Sequence, residues 1–125
     1  MKDEDISRQV RGLIRHAIGH GCCNLGQVAR GLAISPRTLQ RRLAAQGITF
    51  KDLVIELRME LARHLLEGTN MPMGQLAQRV GYTEASAFTR AFRQHTGKTP
   101  KRWRKEKRLF VNRAKLYTNV DIRRI

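Results

Sequence analysis

The chain writes one pattern twice. Ala29-Arg30-Gly31-Leu32-Ala33-Ile34-Ser35 is echoed by Ala77-Gln78-Arg79-Val80-Gly81-Tyr82-Thr83. Each copy runs into a basic amphipathic stretch, Thr38-Leu39-Gln40-Arg41-Arg42-Leu43 in the first and Ala87-Phe88-Thr89-Arg90-Ala91-Phe92 in the second. In register, Leu39, Arg41 and Leu43 match Phe88, Arg90 and Phe92, an offset of 49 residues. A small residue, two apolar positions around a turn and then Ser or Thr read as a short helix, a tight turn and a second helix. That is the helix-turn-helix pattern, whose second helix enters the DNA major groove.

The rest of the chain supplies the scaffold. Ile6, Val10, Leu13, Ile14 and Ala17 recur at helical spacing, predicting a helix from about Asp5 to Ile18 that Gly19-His20-Gly21 ends. Asn24 is placed to cap a short helix over Leu25 to Leu32, and Ser35-Pro36 opens a third that stops at Gly47. Thr49 caps the longest helix, about Phe50 to Glu67, in which Phe50, Leu53, Val54, Leu57, Leu61 and Leu65 form one apolar stripe, and Gly68 ends it. The second copy gives helices over Met73 to Val80 and Glu84 to His95. Thr99-Pro100 starts a last helix to about Lys107, anchored by Trp103. No alternation of strand type persists, so the expected class is all-α.

The repeat separates core from surface. Val28, Leu32, Ile34, Leu39 and Leu43, with Leu76, Val80, Tyr82, Phe88 and Phe92, fall where paired helices bury their faces. Gly81 sits at the second turn, where a positive φ is often needed, and Ala33 is its counterpart in the first. Outward lie Arg37, Gln40 and Arg41 in one copy and Glu84, Ala85, Ser86, Thr89 and Arg90 in the other. Arg suits guanine O6/N7, Gln suits adenine N6/N7, and alanine can touch a thymine methyl. The first reader is therefore expected to give more specificity and the second more general affinity. Thr38, with Thr49 and Lys51 at one helix start and Lys98, Thr99, Lys101 and Arg102 at another, are expected phosphate contacts. Backbone N–H groups at helix starts and flanking cations attract anions.

Composition agrees with a polyanionic partner. The net charge is +15, with 25 Lys/Arg against 10 Asp/Glu. After Lys101 the chain is especially basic, and residues 108–125 are expected to be a basic tail separate from a domain over residues 1–107. No secretory signal and no apolar run of about 18 residues is found, and Cys22 and Cys23 are adjacent, so a reducing cytoplasm is expected. His20, Cys22 and Cys23 lack metal-site spacing, and His16, His64 and His95 lack a nucleophile or carboxylate at recognisable spacing. No glycine-rich phosphate loop appears. Neither catalysis, cofactor nor metal is expected.

The second half carries a more specific match. Leu76-Ala77-x-x-Val80-Gly81-Tyr82-x-x-x-Ser86-x-Phe88-x-Arg90-x-Phe92 is followed by Gly97-x-Thr99-Pro100-x-x-Trp103-Arg104, and Arg58-Met59-Glu60-Leu61-Ala62-x-x-Leu65-Leu66 precedes it. From about Ile6 to Arg104 the chain resembles the DNA-binding domain of the AraC/XylS family of bacterial transcriptional regulators. The resemblance implies seven helices, with two helix-turn-helix units joined by one linker helix. It also implies sequence-specific binding of double-stranded DNA through successive major grooves. Carried over by position, it gives Arg37, Gln40 and Arg41, then Ser86, Thr89 and Arg90, as reading residues. RNA polymerase is a second candidate partner. Met73, Gly74 and Trp103 depart from the common pattern, and the sensing or dimerising domain that such regulators often carry is not evident. Two other readings stand beside this one. A basic RNA- or membrane-surface module would need single-strand stacking aromatics that are scarce here. A fragment of an alkyl-transfer repair enzyme would have only Cys22 and Cys23 as reactive groups.

Overall fold

The computed structural model describes residues 2–19 and 23–109. Six helices run in order, α1 Lys2–Gly19, α2 Leu25–Gly31, α3 Pro36–Ala45, α4 Phe50–Gly68, α5 Met73–Arg79 and α6 Ala85–Thr96. A seventh, α7, covers residues 100–109. No strand occurs among the described residues. The expected helix stop at His20-Gly21, the neighbouring Cys22 and the tail beyond Leu109 lie outside them.

Local chemistry sets the boundaries. The Asn24 side chain accepts from the Gln27 amide at 2.8 Å, Ser35 Oγ from the Thr38 amide at 3.1 Å, and Thr49 Oγ1 from the Asp52 amide at 3.0 Å. Gly47 and Gly97, in the left-handed region at φ 73° and 83°, close α3 and α6. Three limits differ from the sequence reading. α1 starts at Lys2, earlier than its apolar period alone shows. Gly68 is the last residue of α4 and not its stop, because both the amide and the hydroxyl of Thr69 donate to Leu65 O, at 3.0 and 2.6 Å. α6 starts at Ala85, with Glu84 as a cap that makes no side-chain bond.

α4 divides its buried residues between two cores. Leu53, Val54 and Leu57 join Ile6, Val10, Ile14 and Ile18 of α1, Val28 and Ala29 of α2, and Leu39 and Leu43 of α3. Met59, Ala62 and Leu66 join Leu76 and Ala77 of α5, Val80, and Phe88 and Phe92 of α6. Leu61, half-buried, packs against both. At 1.5 Å per residue the 19 residues of α4 span about 28 Å. Each helix-turn-helix unit is thus closed by one end of a single strut. Two Arg–Glu pairs one helical turn apart, Arg11–Glu56 at 3.1 Å and Arg15–Glu60 at 3.0 Å, fasten α1 along α4. The Arg15 hydrogen bond holds the Glu60 carboxyl below its ordinary value, against the smaller upward push of burial.

Candidate nucleic-acid interface

Each second helix presents a polar face opposite its own core. On α3, Leu39 and Leu43 are fully buried while Arg37, Gln40 and Arg41 are exposed. On α6, Phe88 and Phe92 are fully buried, Ser86 and Arg90 are exposed, and Thr89 is half-buried. The repeat therefore brings each set of three to one helix face. Ala85 differs from expectation. It packs against the second core, because the chain enters α6 there with its β-carbon turned inward. Arg93 and Arg42, both exposed, extend the basic margins of α6 and α3. Arg93 stands three residues beyond Arg90, so it shares that face of the helix, a spacing visible in the sequence.

The two turns are built alike from unlike residues. Gly81 has φ 102° and Ala33 has φ 58°, the one described residue other than glycine with positive φ. In both units the residue after the turn bonds back to the small residue of the first helix, Ile34 N to Ala29 O at 3.0 Å and Tyr82 N to Ala77 O at 2.9 Å. Tyr82, Phe88, Phe92 and Trp103 then form a chain of tilted and edge-on ring contacts, with centroids 5.6–5.8 Å apart. This aromatic run fixes α6 and the start of α7 together.

The expected phosphate contacts fall at helix starts. Thr49 and Thr99 cap α4 and α7, each accepting an amide three residues on, at 3.0 and 3.2 Å. Thr38 Oγ1 accepts from Ser35 Oγ at 2.8 Å, which leaves the Thr38 hydroxyl proton free to point elsewhere. Lys51 and Lys101 are exposed. Lys98 and Arg102 are solvent-accessible but paired, both with Glu106, Arg102 at 2.9 Å. Glu106 is a partner that the repeat does not mark.

Residues 28–106 match the family model described as Helix-turn-helix domain. The chain belongs to the AraC-type helix-turn-helix family. It is that family's DNA-binding domain. Among its relatives is the HTH-type transcriptional regulator VirS of Mycobacterium tuberculosis, 38% identical over 102 residues, which cover 82% of this chain and 30% of VirS. The chain thus spans under a third of that relative. A DNA-binding transcriptional dual regulator from Escherichia coli K-12 has a similar structure, with TM-score 0.78 and 26% identity over 83% of this chain and 93% of that one. The C-terminal domain of AraT, a response regulator from Geobacillus stearothermophilus, gives TM-score 0.71 and 34% identity over 81% and 84%.

The AraC-type residues at the end of the domain have physical work to do here. Arg104 Nε donates to Leu66 O at 3.1 Å and Arg108 Nη2 to Thr69 O at 2.6 Å. These guanidiniums satisfy carbonyls at the C-terminal end of α4, where positive charge is favoured. Burial, with repulsion from Arg108, draws Arg104 below its ordinary pKa. Trp103, in place of the commoner tyrosine, meets Phe92 edge-on at 87° and carries the Lys107 ammonium 4.8 Å from a ring centroid. Arg108 is therefore part of the packed domain. Among the described residues, no helix is long and apolar enough to cross a membrane, and no cluster of three or more His, Cys, Asp or Glu is placed to hold a metal.

Proposed function

We propose that the chain docks on one face of duplex DNA with α3 and α6 in successive major grooves. Arg37, Gln40 and Arg41 read the first half-site, and Ser86, Thr89 and Arg90 the second. Thr38, Thr49, Lys51, Lys98, Thr99, Lys101 and Arg102, with Arg42 and Arg93 at the margins, hold phosphates. The observation that carries this reading is the pair of exposed polar helix faces, each backed by its own core and both mounted on α4. The chain's part is recognition, without catalysis, and transcription is regulated by where it places its bearer near RNA polymerase.

Duplex is favoured over single strand by the aromatic side chains. Among the described residues Phe88 and Phe92 are buried and Phe50, Tyr82 and Trp103 are half-buried, so none offers an open stacking platform. The strut also makes a geometric demand. Major grooves on one face recur every ~34 Å, and α4 is about 28 Å long. Seating both readers bends the DNA toward the protein, and a ~40° bend costs on the order of 1–6 kcal/mol, which added phosphate contacts offset. The test is a hydroxyl-radical footprint of the monomer together with a bend angle from electrophoretic phasing. Protection of two grooves one turn apart on bent DNA is expected. Protection of a single groove on a straight duplex would reject the two-reader model. A proline at Leu57 should abolish two-site binding by breaking the strut.

A further inference from the structure

Around the start of α7 the basic surface is not uniform. Lys101 and Lys105 are exposed and make no ion pair among the described residues. Lys98 and Arg102 stand two and one helical turns before Glu106 in sequence and converge on it. Lys98 Nζ reaches Oε2, and Arg102 Nε donates to Oε1 at 2.9 Å. One carboxylate thus serves two cations, one oxygen for each. The three side chains stay open to solvent, at 41%, 68% and 38% exposure for Lys98, Arg102 and Glu106. Exposed pairs of this kind contribute little to a fold, so the fold itself gains little from Glu106. The surroundings point to another role. In a chain of net charge +15, this carboxylate lies on the two cations that flank the cap residue Thr99. The hydrogen bonds from Lys98 and then Arg102 hold the Glu106 carboxyl below its ordinary pKa, so it stays charged down to acidic pH.

We propose that Glu106 is an internal stand-in for a DNA phosphate, and that it sets the sequence-independent grip of the second helix-turn-helix unit by occupying Lys98 and Arg102. The inference rests on the reading of these two residues as phosphate contacts. With Glu106 in place the triad offers phosphate a net charge of one, and without it a net charge of two. Each phosphate neutralised adds about 0.9 to the slope of log K against log salt. One recovered charge therefore raises affinity about fourfold near 200 mM salt and about fifteenfold near 50 mM. The gain is the same for every sequence, because phosphate contacts carry no base information. Glu106 consequently limits how much of the protein is held on DNA outside its target.

The experiment compares Glu106→Gln with the unaltered chain on a random-sequence duplex across a salt series. It is accompanied by Glu106→Gln/Lys98→Gln/Arg102→Gln and by Lys98→Gln/Arg102→Gln, with thermal melting of each. Expected for Glu106→Gln are tighter binding, a slope steeper by about one, an unchanged base-preference profile and an unchanged melting temperature. The triple variant should lose the gain. Unchanged or weaker binding by Glu106→Gln overturns the proposal, as does a gain that survives in the triple variant, since that gain would come from the overall field and not from freed side chains. The double variant judges the underlying reading separately. If Glu106→Gln has no effect but the double variant binds more weakly, the phosphate contacts stand and only the stand-in role is lost. If neither changes binding, both are lost.

Discussion

Arg58 lies across Gly81. A β-carbon built on Gly81 would stand 3.0 Å from Arg58 Nε and 3.2 Å from Cζ. The same guanidinium sits 5.4 Å from the centroid of the Tyr82 ring. The strut thus braces the turn that sets the angle of α6, and Gly81 has two reasons to be glycine, contact and a φ of 102°. Gly81→Ala should destabilise the domain by ~1–3 kcal/mol in urea titration. In an Arg58→Ala background the contact is gone and only backbone strain remains, so the penalty should shrink. Equal penalties in the two backgrounds would show that Arg58 does not crowd the turn.

The first turn offers the opposite experiment. Ala33 holds the left-handed conformation at φ 58°, which costs an L residue ~1–2 kcal/mol. Glycine removes that strain but loses ~0.5–1 kcal/mol to its freer unfolded chain. Ala33→Gly should therefore stabilise the domain by about 0.5–1 kcal/mol, seen as a higher melting temperature with unchanged DNA preference. A lower melting temperature would mean that the β-carbon of Ala33 contributes packing that outweighs the strain.

Base reading is separable from phosphate holding. Arg37→Ala or Gln40→Ala should cost ~1–3 kcal/mol on the cognate site and relax preference at one or two base pairs. Lys51→Ala or Lys101→Ala should weaken all sequences alike and flatten the salt slope by about one. Selection from random duplexes, followed by salt titration of the winners, distinguishes the two groups. An unaltered preference profile for both Arg37→Ala and Gln40→Ala would remove them from the reading set.

Acid should loosen α1 from α4. The folded carboxyl of Glu60 titrates below its unfolded value because Arg15 donates to it. Its contribution is complete above the ordinary carboxylate range of about 4.3 and is lost as pH falls through the lowered folded value. Half-exposed as the pair is, that contribution amounts to ~0–1 kcal/mol. Glu60→Gln should reduce stability at neutral pH by that small amount and leave it unchanged once the pH is below the lowered folded value. A difference that persists in acid would assign the effect to packing of the side chain.

What the sequence made legible was local or repeated. Ser35, Asn24 and Thr49 cap within three residues, so their roles could be read directly. The repeat placed Leu39 against Phe88 at an offset of 49 residues and Ala33 against Gly81 at an offset of 48. The illegible part lay in contacts between elements. Arg58 over Gly81, and Arg104 and Arg108 on the carbonyls of Leu66 and Thr69, depend on how α4 meets the turn and α7, which no periodicity encodes. Ala85 misled because alanine suits either face of a helix. Glu106 stands four residues beyond Arg102, a spacing the sequence shows, but its second partner Lys98 lies before the start of α7, where helical spacing does not reach.

Each reading helix rests on its own core, and α4 changes allegiance between Leu57 and Met59. Substitutions that soften Phe88 or Phe92 therefore act on α6 while α3 keeps its backing. One consequence is evolutionary. With α3 and α6 docked as proposed, a lineage can retune one half of its operator while the other half keeps the regulator at the same promoter, so new target sequences are reachable by steps that each leave a working protein.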